Sequence, residues 1–130
     1  MILNTKYIYT SNDDWGCTMT DSILDTIKNM LGLDSEYDAF DVELINYINS
    51  AFFVLSQLGI GSSEGFFISG QSEIWSDYVD SKSNLKAIQT FIKLKVQLLF
   101  DPPSNSFVVD AINKQMDELI WRLCLEAEEV

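Results

Sequence analysis

The sequence predicts a mainly α protein: a small helical bundle of about four main helices, the last of them long, with a short β-hairpin near residues 66–75. Three observations carry this expectation. Apolar residues recur at helical spacing in four separate segments. The glycines and the two prolines, Pro102 and Pro103, cluster in the stretches between those segments. With 47% apolar residues in 130, the chain has enough material for one core.

Residues 1–20 are polar and aromatic without a helical period, and "TSNDDWGCT" carries turn residues. The first helix is expected over about 22–31, where Ile23, Leu24, Ile27, Met30 and Leu31 share a stripe. Asp21 or Ser22 can cap its start, and Gly32 fits the left-handed position past its end. The acidic stretch 34–43 follows. Acids just before an apolar periodic segment complement a helix N-terminus. A calcium loop would need a glycine near its middle, and none lies between Asp34 and Glu43.

The second helix is expected over about 41–58. Leu44, Ile45, Ile48, Ala51, Phe52, Leu55 and Leu58 form its stripe, and Tyr47, Phe53 and Val54 widen it. A helix apolar over so much of its surface packs on more than one side, either at the centre of the domain or against another subunit. "GIGSSEG" ends it as a flexible connection, since it lacks the Lys-Ser or Lys-Thr ending of a phosphate loop.

In "FFISGQSEIW" the segments 66–69 and 72–75 flank Gly70-Gln71, which suggests the hairpin; alternatively Ser72 caps a short helix starting at Glu73. "SDYVD" reads as a helical turn. The third helix is expected over about 84–100 with Asn84 as its cap and Leu85, Ile88, Ile92, Val96 and Leu99 as its stripe. Lys86, Thr90, Lys93 and Gln97 line the opposite face, and half of the chain's eight cations fall between Lys82 and Lys95. That face is either solvated or meets an acidic surface, such as the 34–43 stretch of another copy, with DNA as a third option.

"DPP" separates this helix from the last, expected over about 105–128. Pro102 pushes Asp101 out of helical geometry, and residues 104–106 supply caps. Val108, Val109, Ile112, Met116, Leu119, Ile120 and Leu123 mark the buried face of the last helix. Its acidic ending opposes the helix dipole.

Composition excludes several classes of function. Eight Lys and Arg against twenty Asp and Glu give a net charge of -12, which disfavours binding to a phosphate backbone. No run approaches the ~20 apolar residues of a membrane span, and the N-terminus does not read as a secretory signal. Cys17 and Cys124 are too few and too far apart for a disulfide framework or a zinc site. The chain has no His, so the commonest general base and metal ligand is missing. No catalytic set, cofactor or metal ligand set is expected, and the chain reads as a protein of contacts rather than an enzyme. Trp75, Lys86, Lys93, Trp121 and Arg122 are the candidate interface residues: Trp121 and Arg122 because Trp and Arg are favoured at interface hot spots, Trp75 as a large aromatic anchor, and Lys86 and Lys93 as the basic face. For each the plain alternative is a core Trp or a solvated cation.

From Met19 onward the chain resembles the head–tail connector (adaptor) proteins of tailed bacteriophages. The resemblance rests on "DSILDTIKNMLGL", "FDVELINYINSAFFVLSQLGIG", "IWSDYV", "KLKVQLLFDPPSNS" and "MDELIWRL" in that order. It implies a helical structural protein of the virion neck, made in the host cytoplasm. Such proteins assemble as a ring, typically of about twelve copies, under the portal protein. The ring extends the DNA channel, through which DNA passes without specific binding, and offers a docking surface to a downstream neck, stopper or tail protein. A tail completion protein, an assembly chaperone or an acidic regulatory protein are the alternatives. Residues 19–130 then form one connector domain. Residues 1–18 are either an added N-terminal arm, whose Tyr7, Ile8, Tyr9 and Trp15 could clasp a neighbour, or a stretch ahead of the true start.

Overall fold

The computed structural model describes residues 19–61, 64–79 and 84–128; the expected N-terminal arm, Cys17 and Lys82 lie outside them. Five helices follow in order: α1 (Ile23–Met30), α2 (Asp41–Gln57), α3 (Trp75–Tyr78), α4 (Leu85–Phe100) and α5 (Ser106–Glu128). The four main helices match the expected ones, and α3 is a single extra turn.

Local chemistry sets most of the boundaries. Ser22 caps α1 by accepting from the Asp25 N–H at 3.3 Å. Gly32 at φ +85° and Gly59 at φ +81° take the left-handed backbone that closes α1 and α2. Asn84 departs from expectation. It precedes α4 but is itself left-handed at φ 70°, and its side chain makes no capping bond. At the other end of α4, Asp101 leaves helical geometry ahead of the prolines (φ -147°, ψ 70°). Asn105 then starts α5, its Oδ1 accepting from the Phe107 N–H at 2.8 Å.

The expected hairpin near residues 66–75 is not formed. Among the described residues there is no strand, only an isolated antiparallel bridge between Ser22 and Ile74. The donors that a hairpin would use have other partners. The Glu73 carboxylate accepts from the Ser69 N–H at 3.0 Å, the Ser69 hydroxyl at 2.8 Å and the Gly70 N–H at 3.3 Å. Desolvation pushes the Glu73 carboxyl up, but these hydrogen bonds outweigh it and hold its pKa below the ordinary value. The extended 66–69 segment pairs with a side chain instead. Asn49 on α2 accepts from the Ile68 N–H at 2.7 Å and donates to the Ile68 carbonyl at 3.0 Å. Thus the α2 side chain supplies both bonds that a neighbouring strand would have made.

The same stretch ties the "WSDY" turn to α1. Ser76 N–H donates to the Met19 carbonyl at 2.8 Å, and Ile23 N–H donates to the Glu73 carbonyl at 3.0 Å. Trp75 is 0% exposed and its indole N–H donates to Thr26 Oγ1 at 3.0 Å. Nearby, the rings of Phe52, Phe66 and Tyr78 pack together with centroids 4.7–5.2 Å apart.

The central helix is α4, which packs on α1, α2 and α5; α1 also packs on α2. Leu85, Ile88, Phe91, Ile92, Leu94 and Val96 are buried around much of its circumference. The width of the apolar stripe on α2 therefore does not make α2 central. Leu44, Ile48, Ala51, Phe52 and Leu55 face the core, while Val42 and Phe53 stand in solvent, 74% and 63% exposed. Phe40, just before α2, meets Phe100, the last residue of α4, at 5.1 Å between ring centroids. So α2 runs antiparallel to α4. One buried charge closes the packing at this end: Lys28 Nζ on α1 reaches Asp41 Oδ1 at 2.8 Å and the Ser35 carbonyl at 2.9 Å.

Candidate assembly surface

The surface follows from the periodicity of α5. Its buried residues, Ile112, Met116 and Leu123, with half-buried Leu119 between, form one stripe in alternating four- and three-residue steps. Of the residues expected on this buried face, Val108 is 44% exposed, while Val109 and Ile120 are half-buried. A second stripe with the same stepping lies on the opposite side: Phe107, Ala111, Lys114, Glu118, Trp121 and Leu125, all exposed. Phe107 is 81% and Trp121 59% exposed, so the stripe is apolar at both ends and charged in the middle. At ~1.5 Å per residue the 23 residues of α5 span about 35 Å, against about 24 Å for the 16 of α4. The longer helix therefore presents more length than its neighbour can cover.

Arg122 organises part of that stripe. Its guanidinium pairs with Glu118, one turn back, at 3.0 Å and lies 5.9 Å from the Trp121 ring centroid. Both side chains of the pair are more than half exposed, so its contribution to stability is small. The guanidinium thus lies between a carboxylate and an aromatic ring on the same exposed face.

A second apolar face lies on α2, where Val42 and Phe53 project on the side away from Ile48. Asn49, one turn before Phe53, holds Ile68, and the adjoining Phe67 is 73% exposed. A third apolar surface caps the end of the bundle where α2 and α5 begin and α4 stops. Tyr37 contacts Phe40 at 5.8 Å between centroids, and Phe40 in turn contacts Phe100. Tyr37 and Leu99 are about half exposed.

The sequence-derived interface residues divide accordingly. Trp121 and Arg122 lie on the outer face of α5. Lys86 is exposed and lines a groove between α1 and α4 together with Asp21, Asp25 and Gln89. Lys93 is half-buried and donates to Gln97 Oε1 at 2.9 Å. Trp75 presents no surface at all. Sequence reasoning passed over Phe107, although its heptad relation to Lys114 and Trp121 is visible in the sequence. It also passed over Lys28, which has no sequence signal because its burial depends on a carboxylate from another helix.

Among the described residues no group of three His, Cys, Asp or Glu side chains is placed to hold a metal ion. Within the acidic 34–43 stretch, Asp41 is bound to Lys28 and Asp34 Oδ1 accepts from the Glu36 N–H at 2.8 Å. No helix of the described residues is long and apolar enough to cross a membrane. A family model described as "Phage connector protein" matches residues 23–130. No curated protein and no solved structure matches the chain.

Proposed function

The chain belongs to the phage connector protein family, and we propose that it acts as a head–tail adaptor in the virion neck. Copies assemble as a ring of about twelve under the portal protein, extend the DNA channel, and present a docking surface to the next neck, stopper or tail protein. The observation that carries this reading is the placement of large apolar side chains on two different outward faces. Phe107, Trp121 and Leu125 stand on α5, and Val42 and Phe53 on α2. A contact that joins one face to a different face of the next copy repeats head to tail, and it closes into a ring when the rotation between copies divides a full turn. Contiguous exposed apolar patches mark protein contacts, and aromatic residues are favoured at their centres.

The charge agrees with a passage for DNA. At -12 per copy, a channel wall repels phosphates and lets the duplex slide without specific binding.

Purified virions test the reading. Quantitative mass spectrometry should find the protein at roughly the copy number of the portal, and electron cryomicroscopy should place it in the neck. Absence from the finished particle is the behaviour of an assembly chaperone or a regulatory protein, and it would refute the adaptor role.

A further inference from the structure

The end of the bundle at the proline corner combines apolar exposure with charge of one sign. Tyr37, Phe40 and Leu99 expose large side chains there, and the Tyr37–Phe40–Phe100 ring contacts join the loop before α2 to the end of α4. Around them Asp34, Glu36, Asp38, Asp101 and Asp110 are exposed. Neither residues 34–43 nor residues 99–110 contain a Lys or Arg. Lys28, the cation that reaches this end from α1, is fully buried and paired with Asp41. An apolar centre with a uniformly acidic rim repels DNA and other acidic surfaces, and attracts a complementary surface of opposite charge.

We propose that this end is a docking face for a partner protein that presents Lys or Arg side chains around an apolar knob. The occupant is a different protein rather than a second copy, because no cluster of exposed cations among the described residues of this chain matches the acidic rim. Of its six described cations, Lys28 is buried and paired, Lys93 and Lys95 are half-buried on α4, Lys86 stands beside Asp21 and Asp25, Lys114 has Asp110 and Glu118 one turn to either side, and Arg122 pairs with Glu118. The inference deepens the adaptor reading by stating the chemistry of one partner contact, but it does not depend on ring closure. The exposed rings supply the desolvated centre of the contact, and the carboxylates steer the approach and set its orientation.

A nuclear magnetic resonance titration of the full chain tests this without virions. The probe is a short synthetic amphipathic helix of Leu and Arg. A second peptide of equal charge with every Leu replaced by Ser serves as the comparison. The Leu-Arg peptide should shift resonances concentrated in residues 34–43 and 99–108. Glu36→Lys/Asp38→Lys, or Tyr37→Ser/Leu99→Ser, should weaken its binding about tenfold or more. Asp117→Lys/Glu126→Lys, which changes the net charge equally but elsewhere, should leave the affinity within about twofold. All these positions are exposed, or half-exposed for Tyr37 and Leu99, and circular dichroism confirms that each variant is folded. The proposal is overturned by no binding, by equal binding of the Ser-Arg peptide, or by shifts scattered over the surface. It is also overturned by equal losses in the two charge-reversal pairs, or by duplex DNA shifting the same residues. None of these results bears on whether the protein is found in the neck, so this proposal and the adaptor reading fail separately.

Discussion

Lys28 Nζ lies 2.8 Å from Asp41 Oδ1, with the lysine side chain 0% and the aspartate side chain 21% exposed. The pair joins α1 to the first residue of α2, and the Ser35 carbonyl completes the lysine's surroundings at 2.9 Å. Removing either partner does not have the same consequence. Asp41→Ala leaves a buried ammonium with only a carbonyl, a loss of about 3 kcal/mol by the usual cost of an orphaned buried charge. Lys28→Met leaves a carboxylate that water can reach and that the α2 N-terminus favours, so its loss should be about 1 kcal/mol. Urea unfolding of the two variants measures the asymmetry, and equal losses would contradict this account.

Gly61 should not tolerate alanine. Its backbone is left-handed at φ +80°, and a Cβ there would lie 2.5 Å from Tyr78 Oη. The conformational strain alone is about 1–2 kcal/mol, and the contact with a buried ring adds to it. The expected result for Gly61→Ala is a loss of at least about 2 kcal/mol by chemical denaturation. Gly65→Ala, left-handed but with open space around its Cβ, should lose only the strain.

Tyr78 gives a pH signature. Burial pushes its phenol up to about 12 from an ordinary 10.0. Below pH 10 both folded and unfolded chains hold the proton, and the contribution is constant. Between 10 and 12 the unfolded chain releases it while the folded chain keeps it, so stability falls as pH rises. Tyr78→Phe removes this term. Its unfolding free energy should decline less steeply over that range than that of the wild type. Since Tyr78 Oη has no hydrogen-bond partner among the described residues, the variant should be as stable as the wild type or more so at neutral pH.

Asn49 substitutes for a strand, and replacing it should free the segment it holds. Asn49→Ala removes the partner of both the Ile68 N–H and the Ile68 carbonyl. The expected loss is about 1–3 kcal/mol, with faster hydrogen exchange confined to residues near 66–69. Global acceleration would place the effect elsewhere.

Replacing both Pro102 and Pro103 with Ala should loosen the angle between α4 and α5 more than it unfolds either helix. Far-ultraviolet circular dichroism should change little, because Asn105 still caps α5 and the core stripe of α5 is intact. The yield of infectious particles should fall, since α5 carries the outward Phe107–Leu125 stripe. A normal yield would mean that the corner has no part in assembly.

The four main helices were legible because each element carries its own signal. Ser22, Gly32, Gly59 and the Asp101-Pro102 step act within a few residues of the boundaries they set. The hairpin was misread for the converse reason. Residues 66–69 look like a strand and adopt an extended backbone, but their partner is Asn49, a side chain 19 positions from Ile68. Asn84 has the composition of a cap, yet the chain enters α4 from a left-handed residue, which places its side chain out of reach of the first turn.

By itself the sequence determined the helical class, the positions of the helices, the acidic charge and the resemblance to phage connectors. These depend on local spacing, on caps and on composition, all of which are written along the chain. Which apolar face is covered depends on which helix lies against it, and only the tertiary structure decided that. It put α4 rather than α2 at the centre, and buried Trp75 while leaving Trp121 exposed. It neutralised Lys28 with a carboxylate from the next helix. Two stripes of equal periodicity on α5 are distinguishable only because α4 packs against one of them and leaves the other exposed.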